Sequence, residues 1–204
     1  MTTALVQPPL GRVTSGRATT RDFHWTVETF DRAVDMGVFR EPKRLELIHG
    51  RIVEKMPQSS LHANVVEFCA SCLRSAMAPR FRVREEKPIH IAFDGEPVPD
   101  VALVRGQLLD SHQPLPQPAD VVLLVEVAVS SVDNDLGEKA LLYAEAGIED
   151  YWTVVVEEGV VLVHRDPTPQ GYASVATLGA GQTVSPLAAQ GVTLAVGDLL
   201  GVSG

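Results

Sequence analysis

Three carboxylates stand where apolar strands should exclude them. Glu126 lies inside VVLLVEVAV and, by the two-residue alternation of a strand, shares a face with Val122, Leu124 and Ala128. Asp100, in EPVPDVALV, shares a face with Val98, Ala102 and Val104, and Pro99 holds its approach extended. Glu85 is a third case within FRVREEKPIHIAF, grouped with Phe81, Val83, Ile89 and Ile91, while Glu86 falls with Arg82, Arg84 and His90 on the wetter face. Burying an unpaired carboxylate costs several kcal/mol, so a cation has to answer each one. Lys139 is placed for that role. With the strand ending near Ala128 and a helix starting near Asn134, Glu126 lies about 7 Å back along the strand and Lys139 about 8 Å into the returning helix. The lysine stem spans that gap, and Tyr143 lies on the same helix face. Two inward carboxylates and a lysine suit a hard divalent cation, Mg²⁺ or Mn²⁺, which polarises a phosphoryl oxygen and acidifies water. That is phosphodiester hydrolysis. The same three groups also read as a structural network without catalysis.

The elements that must hold these groups follow from periodicity and caps. Residues 1–21, rich in Thr, Pro, Gly and Arg, are expected to form a flexible leader, and 22–204 one domain. Thr26 caps a helix over TVETFDRAVDMG that Gly37 stops, and RLELIHGRIVEKM folds as a hairpin about His49-Gly50. Ser59 or Ser60 caps a helix from about Leu61 to Met77, with Leu61, Val65, Phe68, Cys72 and Met77 as its apolar stripe and Pro79 beyond its end. Three strand-like runs follow, of which VVLLVEVAV is apolar enough to be central and covered on both faces. Asp133 or Asn134 caps a helix closed by Gly147; YWTVVVEE then turns at Gly159 into VVLVHR, and after DPTPQG come two further short strands and a terminal VGDLLG turn. The order α-β-β-β-α-β implies an α/β fold with a central mixed sheet flanked by helices.

Composition removes several classes of function. The chain has 204 residues, 45% hydrophobic and 21% charged, which suits an ordinary globular protein. It has no apolar run near the roughly 18 residues needed to cross a bilayer, and no apolar signal block, so a cytoplasmic protein is expected. A net charge of -9 excludes a general nucleic-acid coat and requires any polyanion to meet a local basic patch. Cys69 and Cys72, in CASC, lack a second pair for zinc and lie within a helical pattern, which suggests buried thiols. Ser130 and Ser131 have no histidine placed nearby and read as the end of a strand rather than as nucleophiles.

With Pro99-Asp100 on the second core strand and Glu126 in VEVAVSS on the third, the chain resembles the PD-(D/E)XK, or restriction-endonuclease-like, nuclease superfamily. Its nearest resemblance there is to a bacterial restriction-endonuclease family carried as a domain of unknown function. The phrases LELIHGRIVEKMPQSSLHANVV and DNDLGEKALLYAEAGIEDYWTVV carry that nearer likeness, over about residues 26–200. The resemblance implies a metal-dependent endonuclease with DNA as its expected substrate and with Asp100 and Glu126 as metal ligands. The usual motif puts its lysine two residues after the glutamate, where this chain has Ala128. In the nearer family it has moved to the following helix, which makes Lys139 the replacement. Glu85, His62 and Glu46 form a second tier: Glu85 as a further ligand or a surface ion pair, His62 in the first helical turn as a phosphate or water contact or an exposed histidine, and Glu46 on the hairpin as a family phrase whose reach is open. A catalytically inactive nuclease-fold dimer, binding nucleic acid or another partner, is the rival reading, and a hydrolase of another phosphate ester a third. Uncovered edges at the hairpin and after Val160 suggest a homodimer.

Overall fold

The computed structural model describes residues 22–55, 58–106, 112–129 and 134–202. The leader assigned to residues 1–21 lies outside them, as do Ser130, Ser131 and Asp133. The fold is a six-stranded mixed sheet in the order β3-β4-β5-β6-β7-β8. Its strands are β3 (Arg82–Glu85), β4 (Val101–Val104), β5 (Val121–Ala128), β6 (Tyr151–Val155), β7 (Val160–Thr168) and β8 (Gly171–Gly179). Among the described strands only β5 and β6 pair in parallel, joined by the crossover helix α3 (Asn134–Glu145). All eight residues of β5 are buried, because the helix α2 (Ser60–Met77) covers one face and α3 the other.

Alternation along the strands sorts the core into these two layers. Val101, Leu103, Val125 and Val127 pack with Val65, Cys69, Leu73 and Met77 of α2. Ala102, Val104 and Leu124 pack with Leu142 and Tyr143 of α3. Each buried Val or Leu contributes about 1.5–3 kcal/mol, so this double layer fixes the strand register.

Before the sheet come the helix α1 (Val27–Asp35), capped by Thr26, and the hairpin β1 (Leu45–Ile48) with β2 (Arg51–Glu54). The hairpin turns at His49 and Gly50, both at positive φ (46° and 69°). A Cβ on Gly50 would also stand 2.3 Å from the exposed His24 ring, which would have to swing aside. Mutual hydrogen bonds between Leu47 and Glu96 tie the hairpin to the approach of β4. The short pair β9 (Thr183–Val184) and β10 (Leu194–Ala195) and the helix α4 (Val196–Leu200) complete the chain.

The structure departs from the sequence reading in four places. The buried face of α2 comprises Val65, Val66, Cys69, Ala70, Leu73 and Met77, whereas Leu61 and Phe68 are about half exposed. The sheet and α4 select that face, and Phe68 lies instead over the backbone of Gly201. Of the two thiols only Cys69 is buried, pushed up to about 12 by desolvation, while Cys72 is only partly covered. The strand after DPTPQG is nine residues long rather than short, because it pairs with β7 along its whole length: even Pro167 and Thr168 keep partners, Tyr172 and Gly171. Finally, the run from Phe81 to Phe93 is a strand only through Glu85. Glu86 takes a positive φ of 46°, which breaks the alternation and sends Ile89 and Ile91 into the α3-side core.

Candidate active site

The register that pairs Val101 with Val125 brings Asp100 opposite Glu126. Both are 2% exposed. Pro97 and Pro99 keep the approach to β4 extended, and the Asp100 carbonyl accepts the Glu86 N–H at 3.0 Å. Its carboxylate bridges to the next strand, where Oδ2 accepts the Val127 N–H at 2.9 Å.

Each acid has its own cation. Lys139 Nζ lies 3.1 Å from Glu126 Oε1 and 2.9 Å from Glu46 Oε2. Tyr143, one turn further along α3, donates its hydroxyl to Glu126 Oε1 at 2.7 Å. Lys55 Nζ lies 3.2 Å from Asp100 Oδ1, and His62 Nε2 3.1 Å from Asp100 Oδ2. The Val98 carbonyl accepts from both lysines, at 3.3 and 3.5 Å, and so joins the two halves. Glu46 is fixed by the hairpin: it shares the face of Ile48 and accepts the Val98 N–H at 3.1 Å.

The second-tier residues separate here. Glu46 and His62 both reach the cluster, His62 with a side chain 14% exposed although it stands in the first turn of α2. Glu85 does not. It pairs in register with Val101, whose side chain belongs to the α2 layer, and its carboxylate meets Arg74 of α2. Two members had no assigned role in the sequence, Lys55 and Tyr143. Alternation puts Lys55 on the face of Glu46, since Arg51, Val53 and Lys55 share a face and Val53 is the cross-strand partner of Glu46, but its reach to Asp100 comes only from the docking of the hairpin.

Electrostatics follow from this count. Three carboxylates (Glu46, Asp100, Glu126) face two ammonium groups and one imidazole. Burial acts to raise Asp100, but the His62 hydrogen bond, the Lys55 charge and the Val127 N–H outweigh it and hold the carboxyl well below its ordinary range. Glu126 is shifted upward by burial, against the pull of Lys139, with the like charges of Asp100 and Glu46 adding to the rise. Burial works to lower His62, and Asp100 more than reverses it. Desolvation also works to lower Lys139, and its carboxylates raise it further than that. Among the described residues the His62 Nδ1 atom is buried without a hydrogen-bond partner.

Among the described residues, no group of three or more His, Cys, Asp and Glu side chains forms a metal-ligand cluster. The donor set fits a different kind of metal site. Asp100 and Glu126 offer hard oxygens in a buried cluster with more carboxylates than ammonium groups, and Mg²⁺ or Mn²⁺ needs only one or two carboxylates with water completing the shell.

Residues 27–197 match the model of the Uma2 family, described as "Putative restriction endonuclease". The chain belongs to this family. Uma2 membership supports reading the chain as a nuclease by class. A crystal structure from Anabaena variabilis ATCC 29413, described as "a putative nuclease belonging to DUF820", superposes with a TM-score of 0.63 at 18% identity, covering 78% of this chain and 90% of the other. At that identity the likeness concerns the fold. No curated protein sequence matches the chain.

Proposed function

We propose that this Uma2 protein is a divalent-metal-dependent endonuclease that hydrolyses phosphodiester bonds in DNA. The observation that carries the reading is Asp100 opposite Glu126, with Lys139 held between Glu126 and Glu46. Asp100 and Glu126 would hold Mg²⁺ or Mn²⁺. Such an ion, when bound, polarises a phosphoryl oxygen and lowers the pKa of water. Lys139 orients the attacking water and offsets charge that develops on the phosphoryl oxygens. Glu46 keeps Lys139 at that position. Lys55 keeps Asp100 ionised, and the unpartnered Nδ1 of His62 is left to meet a substrate oxygen or water. The same reading takes residues 22–204 as one domain and the protein as a cytoplasmic homodimer. The two free thiols fit a reducing compartment, and the long edge strand β8 fits a second copy. Among the described residues no helix is long and apolar enough to cross a membrane.

One observation favours the rival, a non-catalytic nuclease-fold module: both acids are already answered by Lys55, His62, Lys139 and Tyr143. Calorimetric titration with Mn²⁺ decides between them. The endonuclease reading expects binding that Asp100→Asn and Glu126→Gln each abolish, together with plasmid cleavage under Mg²⁺ or Mn²⁺ that Glu126→Ala removes. Absence of Mn²⁺ binding to the folded wild type, or cleavage indifferent to Glu126→Ala, overturns it.

A further inference from the structure

Arg82 and Arg84 differ from the arginines that hold the fold together. Arg44, Arg51, Arg74 and Arg165 each contact a carboxylate. Among the described residues no ion pair engages Arg82 or Arg84, and the Nε and Nη1 atoms of Arg82 and the Nε of Arg84 are buried without a hydrogen-bond partner. Arg84 Nη2 donates to the Pro88 carbonyl at 2.9 Å, which leaves the rest of both forks unused. Each buried donor left unmade costs about 1–3 kcal/mol. The two guanidinium groups also repel each other, since they stand two residues apart on one face of β3.

Their position relates them to the acid pair. Arg84 is paired with Ala102 and Arg82 with Val104, so both project on the α3 side, as Glu126 does. Arg84 is one strand across and two residues along from Asp100, about 8 Å away, and Arg82 follows at about 14 Å. Because β3 is the outer strand of the sheet, the pair forms a short cationic track that runs along this edge, with Arg84 at the end nearer the acids. On a chain of net charge -9 this is the local basic patch that a polyanion requires.

We infer that Arg82 and Arg84 form a phosphate-binding track that seats the backbone of the DNA substrate beside the acid pair. Guanidinium forks grip phosphate oxygens bidentately, and the incoming anion supplies the missing acceptors and screens the repulsion. The inference rests on the proposed nuclease reading but concerns binding, so it is tested without catalysis.

The measurement is fluorescence anisotropy of a labelled DNA duplex in EDTA over a range of salt, with thermal melts to verify folding. Arg82→Gln/Arg84→Gln is expected to weaken binding at least tenfold and to reduce the salt slope by about 2, since each phosphate contact contributes about 0.9. Arg82→Lys/Arg84→Lys keeps the charges and is expected to retain the slope while losing several-fold in affinity; it carries the test if the Gln pair does not fold. Unchanged affinity in the folded Gln pair, or in the Lys pair, overturns the inference. Duplex binding that depends on the arginines in a protein that takes up no Mn²⁺ supports the track and defeats only the catalytic reading. Mn²⁺ uptake and plasmid cleavage with arginine-independent binding do the reverse.

Discussion

Lys139 is shared between two buried carboxylates on different elements: Glu46 on the hairpin at 2.9 Å and Glu126 on the central strand at 3.1 Å. A lysine that belonged to one acid could swing with it; one held from two sides has a fixed position. This distinguishes a placed cation from a surface ion pair such as Arg44 with Glu41.

The first prediction concerns that position. Lys139→Met should slow DNA cleavage by about 10²-fold or more, the usual cost of losing one preorganised cationic donor. Glu46→Gln, which leaves the ammonium in place but less restrained, should cost roughly tenfold in kcat with little change in KM. Nicking assays under Mn²⁺ with folded variants check both, and a loss below about threefold for Lys139→Met would remove it from the mechanism.

Asp150 offers a structural contrast. It is 1% exposed, and its carboxylate accepts from Trp152 Nε1 at 2.9 Å, Arg165 Nε at 3.1 Å and the Leu187 N–H at 2.8 Å. Asp150→Ala leaves all three donors without their acceptor and should lower stability by about 3–5 kcal/mol in urea denaturation. Asp150→Asn should cost less, because the amide oxygen still accepts.

His164 makes stability depend on acid. Its ring stacks on Tyr151 at 4.7 Å, lies 5.6 Å from Tyr172 and stands 3.2 Å from Thr153 Oγ1; burial lowers its pKa from 6.5 to about 4. Between those values the unfolded chain binds more protons than the folded one, so the stabilisation is complete above pH 6.5 and is lost as pH falls toward 4. With partial exposure discounted, the loss is about 1–2 kcal/mol. Denaturation of His164→Phe at about pH 7.5 and about pH 5, on either side of the unperturbed histidine value, should show a smaller difference than the wild type, and an equal difference contradicts the assignment.

The β8 edge tests the homodimer. From Ala173 to Thr177 the strand is exposed and carries no charge and no proline, the devices that normally prevent edge pairing. Val175→Lys should convert a dimer to a monomer by light scattering. A wild type that is monomeric at high concentration refutes the pairing.

Much of the site was legible because a strand has a strict period of two. An acid inside VVLLVEVAV has to point into one of the two covered faces, and the helix rise brings Lys139 to a height that its stem can bridge. Alternation failed where its premise failed: the positive φ at Glu86 ends the strand, so Ile89 and Ile91 say nothing about Glu85, which meets Arg74. Likewise the stripe expected for α2 missed Val66 and Leu73, because the sheet and α4, rather than helix periodicity alone, choose which side is covered.

By itself, then, the chain specified its elements, their caps, the central strand and the inward pair Asp100 and Glu126, since these depend on neighbours in sequence and on local dihedral preferences. Tertiary structure alone decided that Glu46, Lys55 and His62 join them. Those residues come from the hairpin and from the start of α2, and only the docking of these segments beside β4 and β5 brings their charges within 3.2 Å of the two acids or of Lys139. The same docking removes water around the cluster, which is why its charges interact strongly enough to shift one another's proton affinities.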